Sequence, residues 1–210
     1  MPGCGKSTLS DNLAAMLREK GNESFSHQEL DKKHPVFLFR EKKKGIQSIT
    51  YLEKDLSRWK SFVKSNSYKK ETHVFDAAPF QNFVRFAIEA GHADKSSEYI
   101  SELEKILSDI SACLIYLRPD CPLKQTDYCV RDKGIVWESK VSNYLESTYF
   151  SKQHGWEGLA GMRSFWDRYV SICDSLVDEI KMPKKVIRSA PGEWGQVQEE
   201  AFNFVDEEMA

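Results

Sequence analysis

The sequence predicts a three-layer α/β domain on a parallel sheet. Two observations carry that prediction. Short apolar, β-branched runs alternate with amphipathic helical patterns along the chain. The chain also opens on a glycine turn, "PGCGKST", that runs directly into the first of those helices. Strands and helices alternating in this way bury a parallel sheet between helical layers. The 210 residues make one domain, 1–210, with a lid or insert region at about 122–158.

Taken in order, Leu9, Leu13, Met16 and Leu17 share one face of a helix that starts at Lys6, and "KGN" at 20–22 supplies its glycine stop. A short strand is expected between Phe25 and Leu30, before "HPVF". "REKKKG" reads as a loop, after which Tyr51, Leu52, Leu56, Trp59, Phe62 and Val63 recur at helical spacing. "ETHVFDAAPFQN" reads as a buried strand that ends at Asp76 in a small-residue turn. Helical patterns occupy about 80–91 and 97–110. In "SACLIYLRPDCP" the strand signal is strongest, with Cys113 to Leu117 apolar throughout and Pro119 ending it. Residues 122–180 are mostly helical, with interruptions near "RDKG" and "KQHGWEG". "KKVIRSA" supplies a last strand and "GEWGQVQEEAFNFV" a closing helix.

Composition removes several function classes. Hydrophobic residues make up 40% and charged ones 30%, the profile of a globular chain rather than a disordered or membrane one. A net charge of −2 argues against a nucleic-acid partner held by bulk electrostatics. Lys42, Lys43 and Lys44, with Lys32 and Lys33 nearby, read as a solvated loop. The five cysteines, at 4, 113, 121, 129 and 173, form no CxxC pair, and their odd number argues against a disulfide framework. A reducing cytoplasm is the expected setting. The N-terminus turns polar at once, unlike a signal peptide. No apolar run approaches the roughly 20 residues of a membrane span, so no membrane partner is expected.

The opening residues carry the chemistry. A phosphate loop reads G-x-x-x-x-G-K-[ST], and Gly5, Lys6 and Ser7 fill its last three positions, with Gly3 as a second flexible point. Glycines let successive backbone N–H groups curl into an anion nest, and the helix that follows turns its positive end toward the phosphates. Gly3, Cys4, Gly5, Lys6, Ser7 and Thr8 are therefore the candidate nucleotide-binding residues. Lys6 is placed to reach the β- and γ-phosphates of ATP, and the Ser7 hydroxyl to ligate Mg2+. The plainer alternative is a glycine-rich tail with Ser7 or Thr8 as a helix cap. The motif's first glycine falls one position before Met1, and the strand that feeds such a loop falls before that. The expectation is a chain truncated inside the motif, with its first strand missing and its near end fraying.

From "PGCGKST" onward the chain resembles the P-loop kinases of small molecules, and in layout it is most similar to thymidylate and deoxynucleoside kinases. The resemblance rests on the loop and on the order of elements: an acidic residue closing a second core strand, a strand before an Arg/Asp-rich lid, then a last strand. It implies an ATP- and Mg2+-dependent phosphotransferase acting on a nucleoside, a nucleotide or a similar small-molecule acceptor. An antibiotic or sugar hydroxyl is the alternative acceptor. The chain departs from the pattern at "DAAPFQN", where no arginine stands beside Asp76, and the adenylate-kinase "DG-x-PR" element is absent. The acceptor is thus not carried over. No N-K-x-D motif marks a GTPase, and the features of ABC or AAA machines are absent. The rival from another class is a regulatory or degenerate nucleotide-binding module without kinase activity. A homodimer is compatible with either.

Asp76 closes an apolar strand, where a kinase places its general base or a Mg2+ ligand; the alternative is a helix-capping Asp. Gln81 and Asn82 begin the next helix, where an amide can read an acceptor's base or hydroxyl edge, or simply stand at a helix start. Glu29 offers a carboxylate for an acceptor hydroxyl or is a surface residue. His34, before Pro35, reads as a turn residue. Arg131 in "CVRDKG" is the lid candidate that closes over the γ-phosphate, against an exposed helix-end Arg. Arg118 is set to contact a phosphate or to pair with Asp120. Trp137, Trp156, Trp166 and Tyr169 read as core. Trp194, in the loop after the last strand, is the candidate that touches the base.

Overall fold

The computed structural model describes residues 1–29, 31–37, 50–66, 69–189 and 193–209. Leu30 at the expected end of a strand, the "REKKKG" loop with Lys42, Lys43 and Lys44, and residues 190–192 before Trp194 lie outside the described residues, as do the side chains of Tyr51 and Leu52. The chain is a mixed α/β protein whose described strands all pair in parallel.

Helix α1 (Lys6–Glu19) buries Leu9, Leu13, Ala14 and Leu17 on one face. It ends where Gly21 takes φ +88° and the Asn22 N–H donates to the Leu17 carbonyl, a left-handed glycine close. Strand β1 (Glu23–His27) follows, then α2 (Thr50–Asn66) and β2 (Glu71–Phe75). A π-helical turn (Phe80–Val84) leads into α3 (Arg85–Glu89), and α4 (Lys95–Leu107) precedes β3 (Leu114–Pro119). The region expected as lid or insert is α5 (Pro122–Glu146) and α6 (Tyr149–His154). Pro122 starts α5 at a position where its missing N–H costs nothing. The break expected near "RDKG" is Gly134, at φ +78° and ψ 177° within α5, and the one near "KQHGWEG" is Gly155, at φ +63° after α6. Helix α7 (Gly158–Glu179), strand β4 (Lys184–Ser189) and helix α8 (Trp194–Met209) complete the chain.

The described strands form two parallel pairs. In one pair β1 runs beside β2, from Glu23 opposite Glu71 to His27 opposite Phe75. In the other β3 runs beside β4, from Leu114 opposite Lys184 to Pro119 opposite Ser189. One hydrophobic core joins them, with Leu9, Leu17, Trp59, Phe83, Tyr99, Leu117, Phe165 and Ile187 among its members. Trp166 and Tyr169 are buried in it as expected, while Trp137 and Trp156 pack at its margin.

Three expectations are corrected. Strand β2 was expected to be buried, yet all five residues are half-buried, because among the described residues it has a strand neighbour on one side only. The first strand is Glu23–His27 rather than Phe25–Leu30, since Asn22 already leaves the helix. The near end of the glycine loop is packed rather than free: Met1 is 5% exposed and belongs to the core. No described helix is long and apolar enough to cross a membrane.

Candidate functional site

The opening glycine turn is held from three sides. Gly3 and Gly5 take φ of +73° and +79°, a region that L side chains enter only under strain. Space forbids side chains there as well. A Cβ on Gly3 would come within 2.3 Å of Cys129 Sγ and 2.8 Å of Gln125 Nε2, both on α5. On Gly5 it would meet the Trp194 ring at 2.3 Å. From within the turn, Lys6 Nζ donates to the Met1 carbonyl at 3.0 Å. Cys4 is buried, and Cys129 Sγ lies 3.5 Å from the Pro2 carbonyl. Burial raises the pKa of the Cys129 thiol, which keeps it protonated and fit for packing rather than for attack.

Gly5 caps α1 with no side-chain hydrogen bond, so no cap side chain takes the first amides of the helix. Ser7 and Thr8 stand exposed on that first turn. The Ser7 hydroxyl donates to Asp76 Oδ2 at 2.6 Å, joining the helix start to the end of β2. Asp76 extends the strand ladder by one bond, its N–H donating to the His27 carbonyl at 2.9 Å. Its side chain is buried, and Oδ1 has no hydrogen-bond partner. The sequence-predicted Gly3, Gly5, Lys6, Ser7 and Asp76 therefore share one place. Gln28 fastens it further: its amide donates to the Ser7 carbonyl, the Ser10 hydroxyl and Asp11 Oδ1.

A second polar cluster adjoins the first through the strand ends. Parallel β1 and β2 stop side by side, so Glu29 and Asp76 both follow the carboxyl ends of neighbouring strands, where open α/β sheets place ligands. After Asp76 the chain turns sharply, with Ala77 at φ +69°. It then winds a π turn in which the Asn82 and Val84 N–H groups donate to the Ala77 and Pro79 carbonyls. Such turns recur at functional sites because the extra residue re-aims side chains. Here Gln81 is 7% exposed and donates from Nε2 to Glu29 Oε2 at 3.1 Å, leaving its own Oε1 without a partner. Arg85 lies 4.0 Å from Glu29 and 3.2 Å from Glu89. The Tyr144 hydroxyl, on α5, donates to Glu89 at 2.6 Å. Burial, with the Glu89 carboxylate second, raises the Tyr144 pKa and keeps the phenol a donor.

The arginines singled out in the sequence stand elsewhere. Arg118 points its Nε at both oxygens of Asp174, at 3.1 and 3.0 Å, rather than at Asp120. Tyr116 donates to the same carboxylate, and Asp120 pairs instead with Arg188 at 3.8 Å. Asp174, one helical turn beyond Val170 on the buried face of α7, simply lies nearer. Arg131 is exposed, its guanidinium 5.8 Å from the Tyr128 ring three residues before it, because that side of α5 faces away from the face carrying Gln125 and Cys129. His34 is the turn residue expected: Nδ1 accepts from the Val36 and Phe37 N–H groups.

Sequence reading missed Gln28, Arg85, Glu89, Gln125, Cys129 and Tyr144. One signal was available. Gln81, Arg85 and Glu89 recur every four residues, a polar stripe on a segment whose other residues, Asn82 apart, are apolar.

The donors suit a small hard cation. Among the described residues no group of three or more His, Cys, Asp or Glu side chains forms a metal cage. Mg2+ asks for less, keeping several waters and taking one or two protein oxygens beside a phosphate. The Ser7 hydroxyl and the unpartnered, buried Asp76 Oδ1 supply that kind of oxygen. Compared with known proteins, the chain matches no protein-family model, no curated protein and no solved structure.

Proposed function

We propose that the chain is a cytoplasmic, ATP-dependent phosphotransferase for a small-molecule acceptor, with its α/β elements in the three-layer manner of P-loop kinases. The observation that carries this reading is the Ser7–Asp76 hydrogen bond of 2.6 Å. It ties the helix after a left-handed glycine turn to an acidic residue at the end of a parallel strand, two positions 69 residues apart that a phosphate site needs together.

In this reading Lys6 takes the β- and γ-phosphates, and the amides of the turn and of the first turn of α1 cradle them. Ser7 and Asp76 would hold Mg2+, which supplies charge neutralisation on the phosphates. With Asp76 given to Mg2+, Glu29, beyond the end of the neighbouring strand, is the remaining carboxylate to hold an acceptor hydroxyl. The acceptor oxygen bonds to the γ-phosphorus as the bond from that phosphorus to the β–γ bridging oxygen breaks. ADP leaves with the electron pair, and the hydroxyl proton passes to a carboxylate and on to water.

A module that binds nucleotide without transfer is favoured by one observation: Arg131 is exposed and Arg118 is held by Asp174, so neither is engaged with the glycine turn. The two readings part in an assay with Mg-ATP and pooled nucleosides, nucleoside monophosphates, sugars and aminoglycosides. Phosphate transfer that Lys6→Ala lowers about a hundredfold or more supports the enzyme. ATP binding with no transfer to any pool supports the module.

A further inference from the structure

Resting on the phosphotransferase reading, we infer that the acceptor is a small hydroxyl-bearing molecule that is uncharged or cationic, and that phosphomonoesters are excluded. The inference stands on the Glu29–Gln81–Arg85–Glu89 cluster beside Asp76. Two carboxylates share a single guanidinium there, Arg85 lying 4.0 Å from Glu29 and 3.2 Å from Glu89. A phosphate entering beside Gln81 would have to draw Arg85 off two carboxylates and then sit against Glu29. Like charges brought together in a desolvated site are a strong element of exclusion.

The hydrogen-bond inventory points the same way. Gln81 spends its amide N–H on Glu29, which fixes the orientation of the amide, since the reverse would set Oε1 against the carboxylate. That leaves Gln81 Oε1, on a side chain only 7% exposed, as an acceptor without a donor. That acceptor is satisfied by an O–H or N–H group, which the phosphoryl end of a monoester does not carry. Unphosphorylated nucleosides, sugars and amino sugars can turn a donor toward it from either end, and an ammonium group also meets the two carboxylates around Arg85.

The full chain tests this by calorimetric titration, with and without Mg-ATP, using matched probes: thymidine and its 5′-monophosphate, glucose and its 6-phosphate, and kanamycin as the cationic polyol. At least one unphosphorylated probe is expected to bind about tenfold or more tightly than its phosphorylated partner, or, for kanamycin, than either monophosphate. Glu29→Gln is expected to narrow the gap by admitting the monophosphate. A monophosphate that binds as tightly as its unphosphorylated partner overturns the inference, and so does the failure of every unphosphorylated probe to bind. Loss of ATP binding alone sinks the phosphotransferase reading instead, and the titrations without ATP still decide the acceptor class.

Discussion

Substituting Gly5 by alanine sets two separable effects against each other. The residue sits at φ +79°, where an L side chain is strained by about 1–2 kcal/mol. The added methyl would also stand 2.3 Å from Trp194 Cζ3, which something must relieve. Overpacking of that kind adds ~1–3 kcal/mol, so Gly5→Ala is expected to destabilise the chain by about 2–5 kcal/mol in all. Two reference variants take the sum apart. Gly21 has φ +88° with nothing within 4 Å of its would-be Cβ, so Gly21→Ala reports the backbone part alone, about 1–2 kcal/mol. In a Trp194→Ala background the methyl on Gly5 has room, and the loss from Gly5→Ala should fall to the same value. Urea unfolding followed by circular dichroism measures the parent, the three single variants and the double variant, with midpoints shifting by the loss divided by a slope of about 1–3 kcal/mol per molar. If Gly5→Ala is equally harmful with and without the indole, Trp194 does not lie on the turn and the account of that contact is wrong.

Removing the Ser7 hydroxyl by Ser7→Ala leaves a buried Asp76 without its donor and should destabilise the fold by about 1–3 kcal/mol, while Ser7→Thr, which keeps the hydroxyl, should not. The pH dependence of stability should change with Asp55. Burial raises its pKa to about 6 from the ordinary 3.8, even though Tyr99 donates to it, so its contribution is full below the lower value and is lost as pH rises to the upper. Burial lowers His34 from 6.5 to about 4 and also lowers His27 and His73, contributions that are lost as pH falls through the same window. The two slopes oppose each other, so Asp55→Asn should lose stability more steeply than the parent between pH 6.5 and 4. Parallel urea-midpoint profiles for the two chains would contradict this.

Much of the fold was legible because local patterns and tertiary structure agree. Leu9, Leu13 and Leu17 mark the face of α1 that the core takes, and the glycines at 21, 134 and 155 end or break helices where the spacing said they would. The pairing of strands was not legible, because which edges meet depends on chain-wide packing rather than on any run of five residues. At the site, the glycine turn and Asp76 were readable from their types and positions. Arg85 and Glu89 continue a four-residue repeat from Gln81, but that repeat does not show that their partners are Glu29 and Tyr144 on other elements. The surroundings of Arg118 and Arg131 were not legible for a different reason: a sequence shows where an arginine is, and only the fold shows that Asp174 or Tyr128 is its neighbour.

In the phosphotransferase reading, the bond from Lys6 Nζ to the Met1 carbonyl would make anion capture an exchange rather than an addition. The ammonium is not waiting in water with a full hydration shell to shed. It already rests on an oxygen 3.0 Å away, at a turn whose conformation two glycines fix. An arriving phosphate trades a neutral carbonyl for a charged oxygen, so the net gain is the difference between the two bonds and not the whole of the new one. The same trade runs backward on release, when the carbonyl takes the ammonium again and the turn regains the contact that kept it in shape. In that reading the lysine steadies the turn while no anion is bound, and the turn keeps its lysine within reach of the next one.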